Sequence, residues 1–213
     1  MTRPTALAAH VYAVREGDWV VFYDVKQDRY SALPAHAADA KSWAALGVDV
    51  GACDHSVDAK VDLTGLLGRS NLLDVGAPAC AAAGPPLAWL RALPDGLAFL
   101  YACVWARALV RRRRLDLAYA NLSIWKRAVA PAVPTKPMLA YYEAARPWFP
   151  ERRVCLFDSL SLLTFILSRG ACAELVIGVR GRPFAAHCWL EGGGEILNSP
   201  SDACIGHAPI LRI

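Results

Sequence analysis

The chain lacks several features that would fix a function at sight. It has no Gly-x-x-x-x-Gly-Lys run, so no phosphate-cradling loop is written in it and an ATP site cannot be argued from these residues. No two of its seven cysteines form a Cys-x-x-Cys pair. They stand scattered and odd in number at Cys53, Cys80, Cys103, Cys155, Cys172, Cys188 and Cys204, the pattern of neither a zinc ribbon nor a disulfide framework. Cys204-x-x-His207 is half a zinc site at most, because no second close pair accompanies it. His187 and Cys188 are adjacent and would point to opposite faces of a strand, so no metal is expected. No secretory signal pattern opens the chain, and the expectation is a reducing, cytoplasmic setting. The charge-free run Gly96–Ala106 falls short of the about 20 apolar residues a bilayer span needs, so no stable membrane insertion is expected. The net charge of +4 is mild. With no clear basic recognition helix beside the Arg111–Arg114 run, a winged-helix nucleic-acid binder is a weak reading.

What is present is a large apolar fraction, 55% of residues, ample for a core in one or two domains. Residues 10–33 read as a strand meander. His10–Val14 is the first strand, Glu16-Gly17-Asp18 turns, and Trp19–Val25, rich in aromatic and β-branched residues, is the second. Lys26-Gln27-Asp28 turns again, and Arg29–Leu33 is the third. Pro34 ends it, and alanine-rich Ala35–Leu46 predicts a helix. Val57–Leu73 predicts one or two short helices, and Ala77–Pro86 a linker. Leu87–Ala130 reads as helical, closed near Arg111–Arg114, where basic residues suit a helix end. The functional readings of that basic run are an acidic peptide, a phosphate-bearing ligand or an anionic membrane surface. Pro137–Arg146 predicts a further helix, followed by Trp148-Phe149 between two prolines.

The stretch from Arg152 to Asn198 organises the rest. Cys155 stands before Leu160, Leu162, Leu163, Phe165, Ile166 and Leu167, apolar on nearly every face, which predicts a buried central helix. A helix start offers unpaired N–H groups and a positive dipole end, which favour thiolate over thiol, and Arg152 and Arg153 add charge. Leu175–Arg180 reads as a strand. Ala186-His187-Cys188-Trp189-Leu190-Glu191 reads as a second strand, with a glycine hairpin leading to Glu195-Ile196-Leu197-Asn198. The tail Ala208–Ile213 alternates and predicts a last strand. A cysteine before a Leu/Phe run also suits a plain core helix. With a histidine on a facing strand, it is the arrangement of papain-like and transglutaminase-like acyl transfer.

The run Cys155-Leu-Phe-Asp-Ser-Leu, Leu175-Val-Ile-Gly-Val-Arg180, Pro183-Phe184-Ala-Ala-His187-Cys188-Trp189 and Ile196-Leu197-Asn198 resembles the lasso-peptide biosynthesis B proteins, leader peptidases with a transglutaminase-like cysteine-protease fold. The resemblance covers about residues 85–213. The opening, on the pattern Asp24 to Tyr30 and Leu33, resembles the peptide-recognition element of ribosomal-peptide maturation proteins. Together they imply an α+β chain: residues 1–80 a winged-helix-like leader-recognition module, residues 85–213 a transglutaminase/papain-like cysteine protease. The resemblance implies Cys155 as nucleophile, His187 as base, and a leader paired along the third strand at Arg29, Tyr30 and Leu33 by β-augmentation. It implies as partners the precursor peptide and an asparagine-synthetase-like lasso cyclase. ATP dependence occurs in such fused proteins and enters here only as what the resemblance implies.

The family's third member is an aspartate directly after the asparagine; here Ser199 occupies that position. With Gly192–Gly194 as the turn, the hairpin sets His187 opposite Ser199, whereas a two-residue turn sets Asn198 there. Serine orients weakly and carries no charge. Asp202, the carboxylate beyond Pro200, is the expected third member, with Asn198 the alternative. Three functions follow: a peptidase releasing the core of a ribosomal peptide, a transglutaminase-type acyltransferase using an amine acceptor, and a non-catalytic leader-peptide chaperone.

Overall fold

The computed structural model of the chain describes residues 7–48 and 87–213. The expected helices of Val57–Leu73, the linker Ala77–Pro86, Cys53 and Cys80 lie outside the described residues. The chain divides into two compact units: residues 1–79 with 179–185 and 208–210, and residues 80–178 with 186–207 and 211–213. Both units are thus discontinuous in sequence, unlike the consecutive pair 1–80 and 85–213 expected above.

The first unit holds a three-stranded antiparallel sheet, β1 (Val11–Glu16), β2 (Trp19–Asp24) and β3 (Arg29–Pro34), in the order β1-β2-β3. Gly17 turns the first hairpin at φ 57°, a left-handed conformation that glycine adopts without a Cβ clash. Asp24 makes the second: its buried carboxylate accepts from the N–H groups of Lys26 (2.9 Å) and Gln27 (3.1 Å), an Asx turn. Central β2 is buried from Val20 onward, as its β-branched and aromatic content dictates. Val20 and Phe22 pack with Trp43 and Leu46 into this unit's core.

Ala35–Leu46 is not one helix. A 3₁₀ turn over Ala35–Ala37 gives way to α1 (Ala40–Ala45), because the Asp39 side chain caps the Ser42 N–H at 2.7 Å and starts the helix afresh. Likewise 87–130 resolves into α2 (Leu87–Arg91), α3 (Asp95–Arg111) and α4 (Leu115–Arg127). Pro94 stops the first break, and Arg113, at φ 51°, turns the second. Arg169 ties α2 down: it donates to the carbonyls of Leu90 (2.8 Å) and Leu93 (2.9 Å) and pairs with Asp95.

α5 (Lys136–Ala145) and a 3₁₀ turn at Arg146–Trp148 lead to α6 (Cys155–Ser168). From Phe157 to Ser168 only Asp158 escapes full burial, and α6 packs against α2, α3, α4 and α5. Its polar residues are satisfied locally. The Ser161 hydroxyl donates to Phe157 O and the Thr164 hydroxyl to Leu160 O, each at 2.8 Å; hydroxyls that bond back to the preceding turn let a helix be buried on every face. A second sheet follows, ordered β6-β5-β4-β7, from β4 (Glu174–Arg180), β5 (Ala185–Gly192), β6 (Glu195–Ile196) and β7 (Ala208–Arg212). The turn Gly193-Gly194 joins β5 to β6, and the short helix α7 (Ser201–Cys204) follows β6. Among the described residues no helix is long and apolar enough to cross a membrane.

Candidate active site

Cys155 opens α6, with Val154 as an N-cap that supplies no side-chain bond. The first-turn N–H groups are therefore left to water or a ligand. Residues four apart share a helix face, so Ser159 lies on the Cys155 face one turn on. The Ser159 hydroxyl donates to Cys188 O at 3.1 Å, and the Asn198 amide donates to Ser159 Oγ at 2.8 Å. Asn198 Oδ1 in turn accepts from Leu190 N at 2.8 Å. That network fastens the helix that opens at Cys155 to the strand that carries His187. Burial pushes the Cys188 thiol up, the Ser159 hydroxyl opposes this, and the nearby Cys155 thiol adds to it.

His187 is half-buried on β5. Its Nε2 lies 2.8 Å from Ser199 Oγ, and its ring stacks on Trp189 at 5.8 Å between centroids. The His207 ring lies at 5.9 Å. Burial first, and then His207, hold the imidazole below its ordinary 6.5. Trp189 fits because Gly178 faces it: a Cβ there would come within 2.6 Å of the indole and 2.9 Å of His207 Cβ.

The third member differs from the expectation. The turn is Gly193-Gly194, both at positive φ (61° and 83°), which pairs Glu191 with Ile196 and Gly192 with Glu195. This is the two-residue hairpin that glycine pairs favour. β6 ends at Ile196, so the strand register does not extend to Ser199. The chain bends away over 197–199 and delivers the Ser199 hydroxyl to His187. Asn198 is committed to Leu190 and Ser159. Asp202 is exposed on α7 and makes no hydrogen bond or ion pair among the described residues. The side chain on His187 is thus Ser199, not Asp202 or Asn198, because α7 begins directly after Pro200 and leaves no loop to swing the carboxylate back.

Sequence reasoning also passed over Arg146, named there only as the last residue of a predicted helix. Its side chain is 2% exposed. It pairs with Asp158 in the first turn of α6 and donates to the carbonyls of Phe149 (3.3 Å), Glu151 (3.2 Å) and Arg152 (3.2 Å). It also lies over the Phe157 ring at 4.8 Å. Arg146 therefore sets the loop that delivers Cys155. The signal was present as an arginine just before a proline-broken loop and an aspartate three residues after the cysteine. By contrast Arg153 points to Glu143 on the surface and Arg152 is exposed. Of the aromatics before the nucleophile, Phe149 is buried against Phe157, while Trp148 is 87% exposed. In the basic run, Arg111 joins Arg107 in pairing with Glu151, and Arg114 pairs with Asp116.

In the first unit β3 is an edge strand. Arg29 is exposed. Tyr30 stacks on Tyr23 at 4.5 Å and meets Phe184 at 5.5 Å, while Leu33 turns to the core. A cavity of about 310 Å³ opens there, lined by Trp19, Tyr30, Ser31, Ala32, Arg182 and Phe184. The five described cysteines are free thiols, and among the described residues no cluster of three or more His, Cys, Asp or Glu is arranged to hold a metal.

Comparison with known proteins bears on this site. A profile of the transglutaminase-like superfamily matches residues 97–211, more than half of the chain, which includes Cys155, His187 and Ser199. The chain is also similar to the microcin J25-processing protein McjB of Escherichia coli, 48% identical over 44 residues. That stretch is 21% of this chain and 21% of the relative, so the chain matches about a fifth of the relative's length. No solved structure matches.

Proposed function

The chain belongs to the transglutaminase-like superfamily, and from that premise we propose that it is a cysteine peptidase removing the leader from a ribosomally made, lasso-type precursor peptide. The observation that carries the reading is Cys155 at the uncapped start of a buried helix, stitched through Ser159 and Asn198 to the strand bearing His187. Cys155 attacks the scissile carbonyl, and His187 takes the thiol proton and returns it to the leaving amine. N–H groups of the first turn of α6 stabilise the tetrahedral oxyanion. The departing amine is the new amino terminus of the core, which a separate ATP-using cyclase closes, and water then cleaves the thioester and releases the leader. The similarity to a microcin-processing protein supports the choice of a precursor peptide as substrate.

The exposed edge of β3 supports a leader bound as an added strand, with a leader side chain in the cavity beside Tyr30. Winged-helix character of residues 1–80 belongs to the same proposal. Tyr30→Ala should weaken leader binding by about 1–3 kcal/mol in calorimetry.

The test is to search the neighbouring genes for a short precursor peptide and to follow that peptide by mass spectrometry when incubated with the protein, with and without methylamine. A mass loss equal to the leader, absent with Cys155→Ala, is expected. A methylamide at the cut would make the chain an acyltransferase instead. An uncut precursor that still binds would leave it a chaperone.

A further inference from the structure

The three-stranded sheet of the first unit has two faces. Val20, Phe22 and Leu33 point to the core around Trp43. Side chains alternate along a strand, so Trp19, Val21 and Tyr23 of β2 share the other face with Tyr30, Ala32 and Pro34 of β3. The register sets Tyr23 beside Tyr30, Val21 beside Ala32 and Trp19 beside Pro34. That second face is not bare. The turn between β4 and β5, residues 181–184, belongs to the same unit and walls the cavity that opens on it. Phe184 meets Tyr30 at one end, and the Arg182 guanidinium stands 5.2 Å over the Trp19 ring at the other. Gly181 lets the turn come close, since a Cβ there would run into the Glu16 carboxylate. The two ends differ in chemistry. Tyr30 and Phe184 are aromatic, and Phe184 is 53% exposed. Arg182 is exposed and makes no hydrogen bond or ion pair among the described residues. A guanidinium stacked on an indole keeps its N–H fork free for a planar acceptor.

We propose that Arg182 is a specificity-determining residue for an acidic side chain of the leader. The proposal rests on the leader-binding reading of β3. A peptide added along that edge alternates its side chains as the sheet does, so every second one faces this cavity. An apolar leader side chain lies against Tyr30 and Phe184, over the small side chain of Ala32. From Tyr30 to Pro34 is about 13 Å at the rise of an extended strand. The aromatic and cationic ends therefore stand two or four positions apart along the leader. Arg182 takes a carboxylate at one of those positions. Charge complementarity chooses the acid: a carboxylate gains a forked, charge-assisted bond, an amide gains less, and a lysine or arginine meets like charge. An odd spacing would put the acid on the opposite face of the added strand. The pocket of the N-terminal sheet is thus completed by residues far along the chain, and residues 1–80 taken alone lack its cation.

The test is a selection from a displayed library of short random peptides on the full-length protein, in the Cys155→Ala background so that no bound peptide is cut. Peptides enriched on this parent should carry Asp or Glu two or four positions from an apolar residue more often than three. Arg182→Gln should lose that bias. Glu16→Gln should keep it, because Glu16 lies against Gly181 and is not the partner of Arg182. Arg182 is exposed, so its substitution should leave urea unfolding near the parent's. In fluorescence anisotropy at low salt, Arg182→Gln should bind the best acidic peptide roughly two- to fivefold more weakly than the parent, the range of an exposed ion pair. The difference should vanish when that acid is replaced by its amide. General attraction to a chain of net charge +4 would instead enrich acids at every spacing and survive Arg182→Gln. That result overturns the proposal, as does an affinity indifferent to Arg182. If no peptide is enriched, the leader-binding reading of β3 falls and the proposal with it. If the acidic bias appears but the precursor is never cut, the peptidase reading alone falls.

Discussion

Replacing Arg146 with methionine keeps length and apolar volume but deletes the fork that holds the approach to Cys155. Four contacts are lost: the ion pair to Asp158 and the bonds to the carbonyls of Phe149, Glu151 and Arg152. Their weights differ. Glu151 is half-buried and Arg152 exposed, so water replaces the guanidinium at those carbonyls and little is lost. The ion pair dominates, because the Arg146 side chain is 2% exposed and that of Asp158 only 18%. Removing one partner of a buried pair costs about 3–5 kcal/mol. Asp158 keeps some water, so the lower end applies, about 3 kcal/mol, which lowers Tm by roughly 10 °C. Arg146→Lys restores the charge but not the planar fork and should recover less than half. Urea unfolding of the full chain is the assay, run as a double-mutant cycle with Asp158→Asn, for which a coupling of about 2 kcal/mol is expected. Arg146→Met within about 1 kcal/mol of wild type, or a cycle with no coupling, would refute the claim that this arginine holds the nucleophile loop.

Three further outcomes test the site. A haloacetamide near neutral pH should label Cys155 first, because burial pushes the Cys103 thiol up to about 12 and also raises those of Cys188 and Cys204; uniform labelling in a peptide map would count against a privileged thiol. Because burial and then His207 depress His187, the unfolded chain takes up its proton near 6.5 while the folded chain resists. This group therefore costs nothing above that pH, and stability falls as pH drops through 6.5 toward the folded value. His187→Gln should flatten that slope in urea midpoints measured from pH 7.5 to 5, and a slope unaltered by the substitution would remove His187 as its source. Asn198→Ala strands the Leu190 N–H and frees Ser159, costing about 2 kcal/mol, while Asp202→Ala should stay within about 0.5 kcal/mol and leave cleavage unchanged; a cleavage rate that collapses in Asp202→Ala would return that carboxylate to the site.

How legible the molecule was depends on how local each signal is. Helix α6 was readable because its apolar residues leave no polar face, and that alone demands central burial. The strands of residues 11–34 were readable because β-branched and aromatic runs stood between turn residues. The break at Asp39 was harder. Alanine-rich composition predicts helix through it, and only an aspartate bonding its own helix start interrupts it, whereas the basic run Arg111–Arg114 marked the end of α3. Site residues followed the same rule. Cys155 and His187 sit on regular elements whose period fixes their place. The partner of His187 sits where β6 stops after two residues, so the register that would name it expires before reaching it. Arg146 was invisible for another reason: its partners are mostly backbone carbonyls, which no residue type advertises.

Ser199 in place of a carboxylate divides a task that a charged triad gives to one group. An aspartate both orients the histidine and stabilises its imidazolium; a hydroxyl does only the first. The rest of the site leans the same way, since burial and His207 favour the neutral ring. A neutral, well-oriented imidazole is a competent base for a thiol, which is intrinsically more nucleophilic than a hydroxyl and needs less charge stabilisation to react. The same ring is a poorer store for a proton waiting on a leaving amine. On the proposed peptidase reading, acyl transfer from Cys155 should therefore be limited less by attack than by protonation of the departing peptide. On that reading the burden falls on positioning: Arg146 for the loop before the thiol, Asn198 and Ser159 for the helix against the strand, and Ser199 for the ring.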